Sequence, residues 1–301
     1  MESAILARRM ARSISILGAG RLGKTFAKCL RRSGWRVGAV VARSEAHARA
    51  AVRWIGAGTP LAKVTPDLFL PDVVLVSVPD SAIGEVAERL ARAAGSHCRG
   101  KIVLHTSGAL HRSVLAPLAK RGAATGSIHP MQTFTGRTIP KLEGIIFALE
   151  GDAAALRAAR RIVRDMGGIP VRISSRAKAA YHAAGAIVAG EGLAIMETAV
   201  RILIRAGFTR RRALQAVLPL MRQMLDNFER VGPRASWTGP IARGDFSIVA
   251  AHARALRSHP REFRQAYAAL ALLSGRVLAS NPKAVIRSLR RALGTIERRL
   301  F

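Results

Sequence analysis

The turn Gly18-Ala-Gly20-Arg21-Leu22-Gly23, set between the β-rich run Ser13-Ile-Ser-Ile-Leu17 and a helical pattern, constrains this chain more than any other stretch. A G-x-G-x-x-G sequence between a strand and a helix reads as the first βα turn of a dinucleotide-binding unit. Gly18 allows the tight turn, Gly20 lets the backbone approach a pyrophosphate, and Gly23 lets the helix pack close to the strand. Free N–H groups and the macrodipole at the helix N-terminus favour an anion there.

Glycine-rich turns are common, so the flanking sequence decides. The second apolar run, Trp35 to Ala42, carries the chain to the point about twenty residues past the glycines where NAD-binding units place an Asp or Glu on the ribose 2′-OH. Arg43-Ser44 stand there instead. A guanidinium and a hydroxyl suit a 2′-phosphate, because Arg makes charge-assisted, often bidentate bonds to phosphate oxygens. The expected cofactor is therefore NADP(H). The plain alternative is that Arg43 is one more surface arginine in an arginine-rich chain.

Strand-like runs alternate with helical patterns through the first half, which predicts an α/β fold with a doubly wound parallel sheet of Rossmann type over residues 11–173. After the first two strands come Asp72–Val78, Lys101–His105, Gly126–His129, Gly144–Leu149 and Ile169–Ile173, with helices over 83–94 and 152–166. Ligands bind beyond the carboxyl ends of such strands. Val78, Pro79, Asp80, Ser107, Gly108, His129 and Gln132 fall there. Beyond Ser174 the strand signal stops, and residues 174–301 read as an all-helical substrate and dimerisation domain, with helices near 175–206, 209–230, 245–257, 260–279 and 282–298. The first of these is apolar or small on nearly every side from Ala183 to Ala199, so it is expected to be buried, with Gly185, Gly190 and Gly192 allowing close contact.

Half of the 301 residues are hydrophobic, enough for two cored domains. No apolar run is long enough to span a membrane, and residues 1–12 lack a signal-peptide core, so a cytoplasmic protein is expected. Met10 precedes the first strand closely enough to serve as a start in place of Met1. Cys29 and Cys98 have no metal-ligand spacing, which predicts two free thiols and no metal. A net charge of +31 could draw nucleic acid through its phosphates, and this sustains a rival, non-catalytic reading as an NADP-sensing or nucleic-acid-associated protein. The arginines are spread over nearly every helix and aromatics are only 5% of residues, so an arginine-biased solvated surface is favoured.

Reduction of a carbonyl by NADPH requires the protein to position an acid or stabilise a developing alkoxide. Lys178 and His182 lie four apart on one helix face beside Tyr181, able to point together. A lone Lys or His on a helix is more often solvated or packed. Arg243, in the stretch Trp237–Asp245, could clamp a substrate carboxylate, pair with Asp245, or leave Asp245 to cap the next helix. His129 is equally well read as a proton donor or a hydrogen-bonded loop residue.

The motifs Ser127-Ile-His129-Pro-Met-Gln-Thr-Phe134, Lys178-Ala-Ala-Tyr181-His182-Ala-Ala and Thr238-Gly-Pro-Ile-Ala-Arg243-Gly-Asp245 resemble the bacterial family that joins a Rossmann-like domain to the helical domain of unknown function 2520. More broadly the chain is similar to the 6-phosphogluconate and β-hydroxyacid dehydrogenases and to pyrroline-carboxylate and ketopantoate reductases. That resemblance implies a 6-phosphogluconate-dehydrogenase-like helical domain, a homodimer, and an NADPH-dependent reductase of a small, carboxylate-bearing keto acid or related imine, ketopantoate included. It also implies a catalytic Lys at 178, with His182 where β-hydroxyacid dehydrogenases carry Asn, and Gly190 where relatives carry Asn. Hydride transfer between NADP and a deazaflavin is a second activity that similar Rossmann proteins perform.

Overall fold

The computed structural model describes residues 12–294, so Met1, Met10 and the end of the last expected helix lie outside the described residues. The chain divides into two compact units, Met1–Ala189 and Gly190–Phe301. The first unit therefore runs past Ser174 and takes in the helix that carries Lys178 and His182.

In the first unit the order is β1 (Ser13–Leu17), α1 (Arg21–Arg32), β2 (Arg36–Val41), α2 (Glu45–Ile55), β3 (Thr59–Leu61), β4 (Val73–Val76), α3 (Ile83–Ala94), β5 (Ile102–His105), α4 (Ala116–Ala119), β6 (Ala124–Pro130), β7 (Ile146–Gly151), α5 (Ala153–Asp165), β8 (Ile169–Arg172) and α6 (Lys178–Ala186). The strands form one sheet in the order β3-β2-β1-β4-β5-β6-β7-β8. The order reverses between β1 and β4, which opens the crevice where dinucleotides bind in folds of this kind. β-Branched and leucine side chains fill the central strands because both faces are covered. Thus Val73 and Leu75 pack with Ile14, Phe26 and Leu104 on one face, while Val74 and Val76 pack with Leu90, Val103 and Leu115 on the other.

Three local features depart from the sequence reading. β3, Thr-Pro-Leu, was not anticipated; it is three residues long and sits at the sheet edge, where a proline is tolerated. The sheet is not wholly parallel, since β7 runs antiparallel to β6. No helix separates those two strands, and without a crossover the chain can only return antiparallel. The single helix expected over 175–206 is broken into a 3₁₀ turn (Ser175–Ala177), α6, a π-helical stretch (Ile187–Glu191) and α7 (Gly192–Arg205). Gly185, Gly190 and Gly192 are poor helix formers placed around the break. Nor is the stretch buried within the chain, for Ile187, Val188 and Leu193 are 64%, 79% and 67% exposed.

The second unit continues with α8 (Arg210–Ser236), α9 (Pro240–Arg243), α10 (Phe246–Ala255), α11 (Arg261–Val277) and α12 (Pro282–Leu293). Its core joins α10, α11 and α12 through Val249, Ala253, Ala268, Ala271, Leu289 and Leu293. α8 runs past the expected end at 230 and kinks at Gly232, whose φ is 79°. Among the described residues no helix is long and apolar enough to cross a membrane.

Candidate functional site

The glycine turn has the geometry its sequence implies. Gly18 adopts φ of 95°, and a Cβ there would lie 2.3 Å from the Ser77 carbonyl oxygen. A Cβ at Gly23 would lie 2.2 Å from the Gly18 oxygen, so strand and helix touch at this point. Gly20 is different, because nothing stands within 4 Å of where its Cβ would be. It is the N-cap of α1, brings no capping side chain, and the first turn holds no acidic residue. The N–H groups of this helix start thus face open space with no local anion to satisfy them, which fits a pyrophosphate.

A cavity of about 290 Å³ lies at the ends of β1 and β2, lined by Gly18, Arg43, Val64, Val78, Val86 and Arg89. Arg43 therefore stands where the sequence put it. Arg89, one helical turn past Val86 on α3, joins it there, although in the sequence it looks like any other arginine of a solvated helix. Ser44 is otherwise engaged. It is the N-cap of α2, its Oγ accepting from the His47 N–H at 3.3 Å and lying 2.7 Å from His47 Nδ1.

A second cavity, of about 340 Å³, shares Val78 with the first. The glycine turn contributes Gly20, Arg21 and Leu22 to its lining, and Asp80 follows Pro79 beyond β4. Ser107 and Gly108 after β5, His129 on β6 and His182 on α6 complete it. Two parts of the chain far apart in sequence meet closely here. A Cβ on Gly108 would lie 2.6 Å from His182 Cδ2 and 2.9 Å from His129 Nε2, so only glycine allows both rings to close on this loop.

Tyr181 fixes the His129 ring. Its hydroxyl donates to the His129 carbonyl oxygen at 3.2 Å, and its oxygen lies 3.1 Å from His129 Nδ1. One hydroxyl hydrogen cannot serve both contacts, so the tautomer in which both bonds form is the one with the ring proton on Nδ1 and the Nε2 lone pair on the side of Gly108. Burial, reinforced by the nearby charges of His182 and Lys178, pulls His129 down to about 4, so the ring is neutral at pH 7. Burial raises the Tyr181 hydroxyl to about 12. The His129 ring meets both the Tyr181 and His182 rings edge-on, at centroid distances of 5.5 Å.

Lys178 is not in this cavity. It is fully buried, its Nζ donating to the Ser127 hydroxyl at 2.7 Å and to the Ser107 carbonyl at 3.1 Å. Of the two residues expected to point together, His182 thus lines the cavity and Lys178 does not, its four-carbon stem carrying the ammonium to Ser107 and Ser127. Burial lowers it to about 8, opposed by the carboxylates of Glu150 and Asp80. Glu150, the one acid of β7, was not anticipated as part of this region, although a lone carboxylate in an otherwise apolar strand is a readable signal. It is nearly buried and accepts from the Arg112 N–H at 2.7 Å and the Ser175 hydroxyl at 3.1 Å.

The Ser107 loop is held from several sides. The Ser107 hydroxyl donates to Asp80 Oδ2 at 2.6 Å and accepts from the N–H groups of Leu110 and Ala109 at 2.9 and 3.2 Å. The Ser107 N–H donates to Nδ1 of His105, a fully buried ring that burial lowers to about 3 and whose Nε2 has no partner. Gln132 spends its amide locally, its oxygen accepting from the Thr133 N–H at 2.8 Å. In the second unit, Arg243 Nε donates to Asp245 Oδ2 at 3.0 Å, and Asp245 makes no side-chain cap on α10. Of the alternatives for that pair, the ion pair is the one formed. Cys29 and Cys98 are free thiols, and among the described residues no cluster of three or more His, Cys, Asp or Glu is placed to hold a metal.

Residues 2–130 match the family of Rossmann-like domains and residues 145–273 match Domain of unknown function 2520. No curated protein matches the chain. Among solved structures, a protein from Bacteroides fragilis put forward as an NADP oxidoreductase superposes with a TM-score of 0.73 at 22% identity, covering 91% of this chain and 98% of that one. A protein from Thermotoga maritima shares 26% identity at a TM-score of 0.61, over 95% and 100% of the two chains. An imine reductase from Myxococcus stipitatus in complex with NADP+ shares 19% identity at a TM-score of 0.65, over 94% and 100%.

Proposed function

Since the chain joins a Rossmann-like domain to Domain of unknown function 2520, we propose that it is an NADP(H)-dependent oxidoreductase acting on a small substrate with a C=O or C=N bond. One observation carries the reading. A cavity that begins at the unpaired helix start of Gly20 and ends at His129 and His182 lies within one compact unit, next to a second cavity that holds Arg43. The α1 N-terminus and Arg21 would hold the pyrophosphate, and Arg43 with Arg89 the 2′-phosphate. The cofactor supplies the hydride when bound. Ser107, Gly108, His129 and His182 shape the place where the substrate carbon waits, and Lys178, sealed below, anchors the loop between Ser107 and Ser127. Small keto acids, ketopantoate among them, and the matching imines form the substrate range. The solved imine reductase with NADP+ supports the choice of cofactor.

The test is titration of the protein with NADPH and with NADH, followed by fluorescence or calorimetry, beside an Arg43→Ala control. Tight NADPH binding, weaker NADH binding and loss of the preference in the control are expected. Failure of both nucleotides to bind would overturn the reading.

A further inference from the structure

Asp80 has no part in the roles given above, yet it is the acidic group on the lining of the cavity that ends at His129 and His182. Its carboxylate is exposed on that lining and held in place by the 2.6 Å bond from Ser107 Oγ. The cationic member of the lining, Arg21, belongs to the helix start and so to the cofactor's phosphates if the proposed function holds. The other cation nearby, the Lys178 ammonium, is fully buried with hydrogen bonds to Ser107 and Ser127. The side left for a substrate therefore presents one fixed negative charge, that of Asp80, beside the polar side chains of Ser77, Thr106, His129 and His182.

A carbonyl and an iminium ion make different demands on such a lining. A hydride pair arriving at a carbonyl carbon breaks the C=O π bond and leaves an alkoxide, which must take a proton from a neighbouring acid. Arriving at the carbon of an iminium ion, it breaks the C=N π bond and leaves that pair on nitrogen, so a neutral amine forms as NADPH becomes NADP+, and the amine then takes its proton from water. Here the Tyr181 hydrogen is committed to the His129 carbonyl, His129 is neutral, and Lys178 is out of reach. His182, an exposed imidazole on the lining, is left to give a proton, so the choice between the two falls to the fixed charge of Asp80, which attracts the substrate that carries N–H⁺.

We infer that Asp80 is a specificity-determining carboxylate that selects a positively charged substrate nitrogen, an iminium ion and its ammonium product, with His129 Nε2 as a second acceptor. This rests on the proposed function and narrows it from C=O or C=N to the cationic C=N class.

The experiment reads binding, so it does not depend on turnover. The full-length protein saturated with NADP+ is titrated calorimetrically with the 2-methylpyrrolidinium ion and, separately, with lactate, a hydroxy acid of similar size. The cation is expected to bind at least tenfold more tightly than lactate. Asp80→Asn, which can still accept from Ser107, is expected to weaken the cation at least tenfold while NADP+ affinity stays within threefold, and Asp80→Glu is expected to retain the preference. Tighter lactate binding, no binding of either probe to the NADP+ complex, a cation affinity unchanged in Asp80→Asn, or equal loss in Asp80→Glu would each overturn the inference and leave the proposed function standing. Failure to bind NADP+ at all would bring down both.

Discussion

Tyr181 and His129 are joined twice, by a hydroxyl donating to a backbone carbonyl at 3.2 Å and by a ring nitrogen 3.1 Å from the same hydroxyl oxygen. One hydroxyl thus sets both the position of β6 at this point and the tautomer of the ring. Tyr181→Phe removes both bonds. We expect a loss of about 1–2 kcal/mol in unfolding free energy and the appearance of the second His129 tautomer, read from the ring nitrogen resonances in a long-range ¹⁵N correlation spectrum. A single unchanged tautomer in the variant would refute the assignment.

Two histidines make the first unit sensitive to mild acid. His129 and His105 are lowered to about 4 and about 3 from an ordinary value of 6.5, both chiefly by burial. As pH falls below about 6.5 the unfolded chain takes up these protons before the folded one does, so stability declines, with each ring contributing at most about 1.4 kcal/mol per pH unit. Above that pH neither contributes a slope. Urea midpoints measured from pH 7.5 to pH 5 should be flat at first and then fall, and His129→Gln should remove about half of the histidine contribution.

Gly108 is sterically obligatory for the site and not for the sheet. Gly108→Ala places a methyl group against His182 Cδ2 and His129 Nε2, at 2.6 and 2.9 Å before relaxation. Overpacking of this kind costs about 1–3 kcal/mol. The rings must part, so substrate affinity should fall by more than tenfold in steady-state kinetics or ligand titration, while NADPH affinity changes by less than threefold.

The second unit leaves an apolar stripe uncovered. On α8, Leu220, Met224, Phe228 and Val231 recur at helical spacing and are 72%, 42%, 54% and 55% exposed. Monomers rarely expose contiguous apolar area of this kind, and a second copy of the chain, as the homodimer expected from sequence, would cover it. Sedimentation at micromolar concentration should give twice the single-chain mass, and Phe228→Glu should shift it toward the monomer. A monomeric wild-type chain would refute the expectation.

What the sequence disclosed followed from local chemistry. Gly18, Gly20 and Gly23 are legible because the turn, the open approach and the close packing each demand glycine at one position, and Arg43 is legible because it sits at a fixed distance along the chain from them. The β6–β7 reversal is legible only between the strands, where no helical pattern offers a crossover, since nothing within either strand records the direction of its neighbour. Lys178 was misplaced for a related reason. Its helical spacing from His182 says which face it shares, while its burial depends on Ser107 and Ser127, more than fifty residues away. Arg89 and Asp80 take their meaning from the cavities they line, which only the assembled sheet creates.

The reversal between β6 and β7 has a practical side. Residues 131–145 leave the sheet after Pro130 and return at Ile146, and the neck is clasped by the Met131 N–H on the Ile146 oxygen at 2.9 Å. Chain length added at the exposed tip, for example between Arg137 and Thr138, would be tethered at both ends by paired strands and would leave the pairing of His129 with Ala148 and of Ser127 with Glu150 in register. A reporter peptide or fluorophore grafted at that tip would sit beside the helix start, because Gly136 packs against Arg21, and would report optically on the Arg21 end of the cavity.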